Sequence, residues 1–405
     1  MTPPAPPAPL LTPEGNPAIS EWAMDPIRLH VNHGSFGGVP NVTLRAQQDL
    51  RRVMEGNPNA WFSRLPELVG QARHQVSSFL GVDPERLALV PNASAGATVA
   101  YSSLRGFAGM EVVVTDHTYG AVLFGAERFA QRWGGSVKIV PVPLDAVADD
   151  VLDRVSRELS DRTALVVIDH ITSATAREMP VAGIIERAHS RGIPVLVDGA
   201  HAPGVLERPL VDVAPDFWIG NLHKFACAPR GTAAIVASES RAQQLSPLID
   251  SWGMPYPFPE RFDYQGTVDQ TSYLSAHISF ESIETRFGWH RVRAHAAAVV
   301  AYGYDVVTEA FAERGFDAQV DVGMPTAQMR LIRLPGTLGS TPEGGATVRW
   351  HLSDVAKAET AIPSWNGEGF LRISAHAYNT ATDYEHLAER VVPLLLELST
   401  KKPHD

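Results

Sequence analysis

Two residues in this chain are of types that could do chemistry together, Asp198 and Lys224. In the stretch PVLVDGAHAPG, the apolar run Val195-Leu196-Val197 stops at Asp198-Gly199, which predicts a buried strand with an acid at its carboxyl end. A second apolar run, Asp216 to Gly220, leads into Asn221-Leu222-His223-Lys224, and Gly231 to Val236 predicts a further strand. Successive strand ends would then bring a carboxylate and an amine to one sheet edge, where open α/β sheets bind their ligands. An amine in that place can form an imine with a carbonyl cofactor, and an acid can keep a pyridinium nitrogen charged. The bland alternative is a strand-end acid and a surface lysine that never meet.

The elements that must position this pair are legible to either side. Upstream, Asn32-His33-Gly34-Ser35-Phe36-Gly37-Gly38 is a glycine-dense turn, after which Pro40 opens a helix running to about Met54. Gly56-Asn57-Pro58 breaks the chain, and Pro66 to Leu80 reads as an amphipathic helix ended by Gly81. Leu87 to Pro91 is strand-like, and Asn92-Ala93-Ser94-Ala95-Gly96 then starts an apolar helix reaching about Leu104. Small residues at such a turn leave backbone N–H groups of Ser94 and Ala95 free to meet an anion, a phosphate above all, with the helix dipole assisting. Ser94 as a plain N-cap uses the same geometry. The stretch is not GxxxxGK[ST], which argues against an ATP site.

Further strands are predicted at Glu111–Thr115, followed by His117, at 137–142 and at Thr163–Asp169, whose following loop carries Ser173. Helices are predicted at 149–159 and 181–190, and this alternation implies a mostly parallel sheet covered on both faces. After Val236 come a helix and a long loop containing Gly266-Thr267, and then a helical stretch from Ala276 to about Arg314, weakened at Gly303. Strands at 329–334, 347–352 and 369–376 and a helix over 382–398 complete a smaller α/β domain. Arg372 lies within a predicted strand, an odd place for a cation unless it is paired.

Composition sets the outer limits. A chain of 405 residues suits one large α/β domain with a smaller partner, and 44% apolar with 20% charged residues is ordinary for a globular protein. A formal net charge of −11 argues against nucleic acid or an anionic membrane as partners. The single cysteine, Cys227, excludes an internal disulfide framework, fits a reducing cytoplasm and reads as a packed core thiol. No apolar run approaches the ~18 residues of a membrane span. The start, MTPPAPPAPLLTPEG, lacks the features of a secretory signal and reads as a mobile proline-rich tail. No internal repeat, metal-ligand cluster or dinucleotide-binding glycine fingerprint is present in the sequence.

DGAHAPG followed by NLHKFACAPRG, together with NHGSFG and the LRIS around Arg372, resembles the class V aminotransferases, over nearly all of the chain from about Leu29 onward. Within them it is most similar to the isopenicillin N epimerase-like branch, which also holds C–S lyases. The resemblance implies pyridoxal phosphate fold type I, with a mostly parallel seven-stranded sheet in the large domain and a smaller C-terminal α/β domain. The domains would be a tail at 1–27, the large domain at 28–275 and the small one at 276–405, with 28–55 a candidate to pack with the latter. It implies Lys224 as the imine-forming catalytic residue, which after substrate binding would act as the base and acid at the α-carbon of an amino acid. Asp198 would face the ring nitrogen, His117 would stack on the ring, and His201 would bond the ring oxygen. Ser94, Ala95, Asn221 and His223 would surround the phosphate, with Thr267 reaching the phosphate of a partner subunit in an obligatory homodimer. Ser173 would contact the ring hydroxyl, although Ser173-Ala174-Thr175-Ala176 departs from the usual loop. Asn32, His33 and Ser35 would border the substrate, and Arg372 would clamp its carboxylate through a planar fork. C–S β-lysis of a cysteine conjugate is the leading expected reaction. Epimerisation, decarboxylation and transamination are the alternatives on the same scaffold, with a catalytically dead binding protein as the non-enzyme reading.

Overall fold

The computed structural model describes residues 5–400. In chain order its elements are β1 (Leu29–His30), α1 (Asn41–Gly56), α2 (Pro58–Leu80), β2 (Leu87–Val90), α3 (Ala93–Ser103), β3 (Glu111–Thr115), α4 (Gly120–Gln131) and β4 (Ser136–Val140). Then come α5 (Ala148–Glu158), β5 (Thr163–Asp169), α6 (Val181–His189), β6 (Val195–Asp198), β7 (Phe217–Asn221), β8 (Ala233–Ala237) and the single turn α7 (Glu239–Ala242). The last are α8 (Thr271–Arg286), α9 (Trp289–Ala312), β9 (Met329–Arg333), α10 (Pro342–Val355), β10 (Ala358–Glu359), β11 (Ser364–Trp365), β12 (Glu368–Ser374) and α11 (Ala381–Thr400).

The chain divides into two compact units. The larger comprises Val39–Ser173 and Glu178–Ser282 and holds a seven-stranded sheet in the order β2-β8-β7-β6-β5-β3-β4. Pairings among β7, β6, β5, β3 and β4 are parallel, while β8 runs antiparallel to both β2 and β7. The continuous apolar runs of β3, β5 and β6 follow from burial on both faces. One core cluster joins Val112, Val114, Leu165, Val167, Leu196, Phe217 and Ile219 of the sheet to Ala97, Ala100, Val122 and Phe129 of the helices.

The second unit takes the described parts of Met1–Gly38 and Ile283–Asp405 together with Ala174–Arg177. It has a three-stranded antiparallel sheet, β11-β12-β9, and a short parallel pair, β1 with β10. Its core gathers Val299, Val307 and Phe311 of α9, Ile332 of β9, Leu371 and Ile373 of β12, and Leu387, Val391 and Leu395 of α11. Residues 5–27 are not the mobile tail that proline content suggested. Leu10 and Trp22 are buried, Trp22 stacks on Phe287 at 5.9 Å, and Arg286 pairs with both Glu14 and Glu21. Apolar side chains spaced between the prolines supply the docking that composition alone hides.

Several elements differ from expectation, each for a local reason. Helix α2 begins eight residues before Pro66, because Asn57 caps it by accepting from Ala60 N at 3.2 Å and Pro58 occupies the first turn. Pro66 forfeits one backbone bond inside the helix, yet Trp61, Leu65 and Val69 bury the flanking turns. The segment 347–352, read as a strand, is helical. Thr341 Oγ1 accepts from Gly344 N at 3.1 Å and starts α10, and that cap outweighs a short β-branched run. The stretch after Ala276 is interrupted at Gly288, whose φ of +77° ends α8 before α9 begins. The helix expected after Val236 is reduced to the four residues of α7. Among the described residues no helix is long and apolar enough to cross a membrane.

Gly303, expected to weaken a helix, sits in α9 where a Cβ would overlap the ring of Tyr384 on α11. A glycine is therefore what lets the two helices approach. Gly303→Ala should lower stability by about 1–3 kcal/mol through overpacking, read as a lower midpoint in urea unfolding. An unchanged midpoint would show that Tyr384 moves aside freely.

Candidate active site

The larger unit gathers its candidate residues at the carboxyl ends of β5, β6 and β7. Asp169 and Asp198 end β5 and β6 as direct register partners, and both are nearly inaccessible. Asp198 Oδ1 accepts from Ala200 N at 3.0 Å. Burial raises its carboxyl from the ordinary range, while that N–H and the charge of Lys224 pull it back down. Burial also pushes Asp169 well above the carboxylate range, and the charge on Asp198 adds to the effect. Both carboxyls are thus displaced upward, Asp169 the more strongly, and the two are linked in their titration.

Lys224 follows β7 in a tight turn in which Leu222 N bonds Thr232 O at 3.0 Å and Ala228 N bonds Leu222 O at 2.9 Å. Its Nζ lies 3.1 Å from His201 Nε2, and since an ammonium can only donate, that nitrogen accepts. Asp198, His201 and Lys224 are therefore brought together. The bare sheet edge that admits them depends on Trp218 below. A Cβ on Gly199 or on Gly220 would overlap its indole.

The remaining candidates in this unit fall into place as follows. Asn221 Oδ1 accepts from Ala93 N at 2.9 Å, tying the end of β7 to the start of α3. The cap of α3 is Asn92, whose Oδ1 takes Ala95 N at 2.8 Å, and not Ser94, which is half-buried in the first turn. The N–H groups of Ala93 and Ala95 are thus already engaged by side chains, a use of the turn that small residues alone did not reveal. His117 is buried and its Nε2–H donates to Val142 O at 2.7 Å, which fixes the ring. His223 Nδ1–H donates to Thr232 O at 3.1 Å. Ser173 is half-buried at the start of its loop, and Thr267 is exposed beside Gly266.

In the second unit Arg372, 4% exposed, extends Nη2 to Ser35 Oγ at 3.1 Å and to Asn32 Oδ1 at 3.4 Å. Asn32 is itself held through Nδ2 to Thr360 O at 3.1 Å. His33 is buried, its Nδ1 lies 2.6 Å from the Tyr378 hydroxyl, and its ring stacks on His376 at 4.2 Å. Sequence reasoning assigned no role to Asp169. The signal available was an apolar strand ending in an acid, the same one that marked Asp198.

A family model described as aminotransferase class V matches residues 39–311. Isopenicillin N epimerase of Amycolatopsis lactamdurans is 28% identical over 404 residues, covering 93% of this chain and 98% of its own. A probable chloroplastic L-cysteine desulfhydrase of Arabidopsis thaliana is 26% identical over 399 residues, covering 91% of this chain and 83% of its own. Among solved structures, the complex of the cystine C–S lyase C-DES with its product cysteine persulfide superposes with a TM-score of 0.77 at 17% identity, over 90% of this chain and 97% of that one. A C-DES mutant with glycine covalently linked to its PLP cofactor gives 0.80 at 17% identity, over 93% of this chain and 99% of that one. Likeness at that identity establishes the shared fold.

Burial brings two histidines of the larger unit, His170 and His223, down to about 4. For His223 the charges of Lys224 and Arg230 add to burial, against the bond to Thr232. Unfolded histidine takes up its proton near ~6.5, so both rings are neutral in the folded chain. The unfolded chain then binds more protons between about 6.5 and 4, and each ring subtracts stability as pH falls through that window and none above it. Ring resonances followed by NMR should titrate near pH 4 for both. A midpoint near that of an exposed histidine would contradict their neutral burial.

Proposed function

This chain belongs to the class V aminotransferase family, and from that premise we propose that it expels a sulfur group from the β-carbon of a cysteine S-conjugate. It is a pyridoxal phosphate-dependent enzyme acting on an amino acid. The observation that carries the reading is the amine of Lys224 held against His201, within the field of the buried Asp198. The residues present suit that cofactor on chemical grounds. A buried carboxylate needs a cation beside it, and Lys224 can supply one only until its nitrogen is put to work. A ring N–H⁺ answers the same need permanently.

When bound, pyridoxal phosphate supplies an electron sink for charge released at the substrate α-carbon. The chain's own groups do the rest. Lys224 takes the α-proton and returns a proton to the departing sulfur, so that Cα–H and Cβ–S break and a thiol leaves, with pyruvate and ammonia as the remaining products after hydrolysis. His201 orients the Lys224 nitrogen. Asp198 keeps its negative charge in a dry site, where it acts more strongly than in water. We assign the substrate carboxylate to Arg372, whose fork is pre-set by Asn32 and Ser35. Asn221, His223 and the start of α3 are assigned to the phosphate, His117 to the ring face, and Thr267 to a partner subunit.

Cys227 argues against transfer of sulfur to an enzyme thiol. It is fully buried at a backbone φ of +59° in the turn after Lys224, where a thiolate cannot swing out to accept sulfur. The alternative reading is epimerisation of an amino acid, favoured by the likeness to isopenicillin N epimerase. It requires an acid on the face opposite Lys224.

Incubation with a panel of cysteine S-conjugates should release pyruvate and ammonia in equal amounts. Loss of optical rotation without pyruvate would instead establish epimerisation. Lys224→Ala should lower turnover by at least about 10³-fold, with loss of the borohydride-trapped mass label at that position. A labelled, active variant would remove the lysine from the mechanism. Arg372→Ala should raise KM for every amino-acid substrate by the equivalent of about 2–5 kcal/mol, because a charged partner is lost. Unchanged kinetics would exclude it from substrate binding.

A further inference from the structure

The tautomer of His223 is at odds with a phosphate beside it. Its Nδ1 lies 3.1 Å from Thr232 O. A carbonyl oxygen can only accept, so Nδ1 carries the hydrogen of the neutral ring and Nε2 keeps a bare lone pair. Nε2 has no hydrogen-bond partner among the described residues. A phosphate dianion offers only acceptor oxygens, and two lone pairs cannot bond. Donors nearby are already spent. Ala93, Ala95 and Gly96 at the start of α3 give their N–H groups to Asn221 Oδ1, Asn92 Oδ1 and Asn92 O.

The surroundings of the ring keep it unprotonated as long as it stands alone. Asn221 of β7 pairs with Ala233 of β8, and Leu222 N bonds Thr232 O, so His223, Lys224 and Arg230 share one closed turn. Burial, assisted by the charges of Lys224 and Arg230, opposes a third positive charge there. Asp198 acts on Lys224, which also lies 3.1 Å from His201, and no carboxylate is among the groups acting on His223 itself. The start of α3 adds no charge, nor does Ser272, which bonds Gly231 O at the head of β8. A bound dianion would reverse this balance. Free phosphate monoesters lose their second proton near ~6, so near neutral pH both the ligand and the ring arrive without the hydrogen that their contact needs.

We propose that binding of pyridoxal phosphate takes up one proton from solvent, shared between His223 Nε2 and a phosphate oxygen. This shared proton rests on the assignment of the phosphate to His223 made above. Whichever of the two atoms holds it, the count is the same. Calorimetric titration of the cofactor-free chain near pH 7.5, in buffers of different ionisation enthalpy, reads the number of protons taken up. Pyridoxal, with the same aldehyde and no phosphate, is the reference ligand. Pyridoxal phosphate should take up about one proton more than pyridoxal, and its affinity relative to pyridoxal should fall about tenfold per pH unit above about pH 7, until the shared proton is itself lost. His223→Gln places an amide donor there that needs no proton. That variant should keep its preference for pyridoxal phosphate, show no extra uptake and hold a ratio that is flat with pH. Equal affinity for the two aldehydes would overturn the phosphate assignment and the shared proton together. A preference for pyridoxal phosphate with no extra proton in the parent chain, or the same uptake in His223→Gln, would overturn the shared proton alone.

Discussion

A carboxylate taken out of water at the end of a strand is the constraint on which the larger unit depends. Asp198 is buried on all sides, and an isolated anion there would be too costly for a marginally stable chain. Its charge is tolerated because Ala200 N–H points at one oxygen and the ammonium of Lys224 contributes from the next strand's turn. Beside it, burial and the charge on Asp198 push the Asp169 carboxyl upward, since anions at neighbouring register positions oppose one another in a dry site.

Holding those groups at one edge is a matter of backbone approach. Trp218 fills the space under the ends of β6 and β7, and only glycine at 199 and 220 leaves room for its ring. In the register of these parallel strands Asp198 pairs with Ile219, so Asn221 stands two residues further along its strand. Asn221 bonds the first N–H of α3, so the same strand end that precedes Lys224 also fixes the start of a helix. The turn of Lys224, the helix terminus and the sheet edge are coupled through side chains too small or too buried to be exchanged freely.

The second unit solves a different problem, a guanidinium inside a sheet. Arg372 lies on β12 between apolar neighbours Leu371 and Ile373, and its cost is met by Ser35 and Asn32 from the glycine-dense turn near the N-terminus. That turn belongs to the same unit as the C-terminal strands although more than three hundred residues separate them in sequence. Residues 5–27 join the unit through Trp22 and the Arg286 pairs.

What the sequence determined by itself was whatever depends on local pattern: apolar runs ending in Asp198 or before Lys224, glycine stops, the alternation that makes a parallel sheet, and motif spacings that place the family. The antiparallel sense of β8 was out of its reach, because a wholly buried apolar run reads the same in either direction. So was the helix at 347–352, where the cap at Thr341 and packing overrode a β-branched run, and the length of α2, where Asn57 and Pro58 start a helix that a later proline does not stop. Tertiary structure alone decided which polar groups share a dry environment. It pushed Asp169 upward beside Asp198, gave Asn92 rather than Ser94 the cap of α3, and left Asp263 Oδ1 unmet among aromatic rings. Those outcomes are set by desolvation and by distances between residues remote in the chain, quantities that no stretch of neighbouring letters contains.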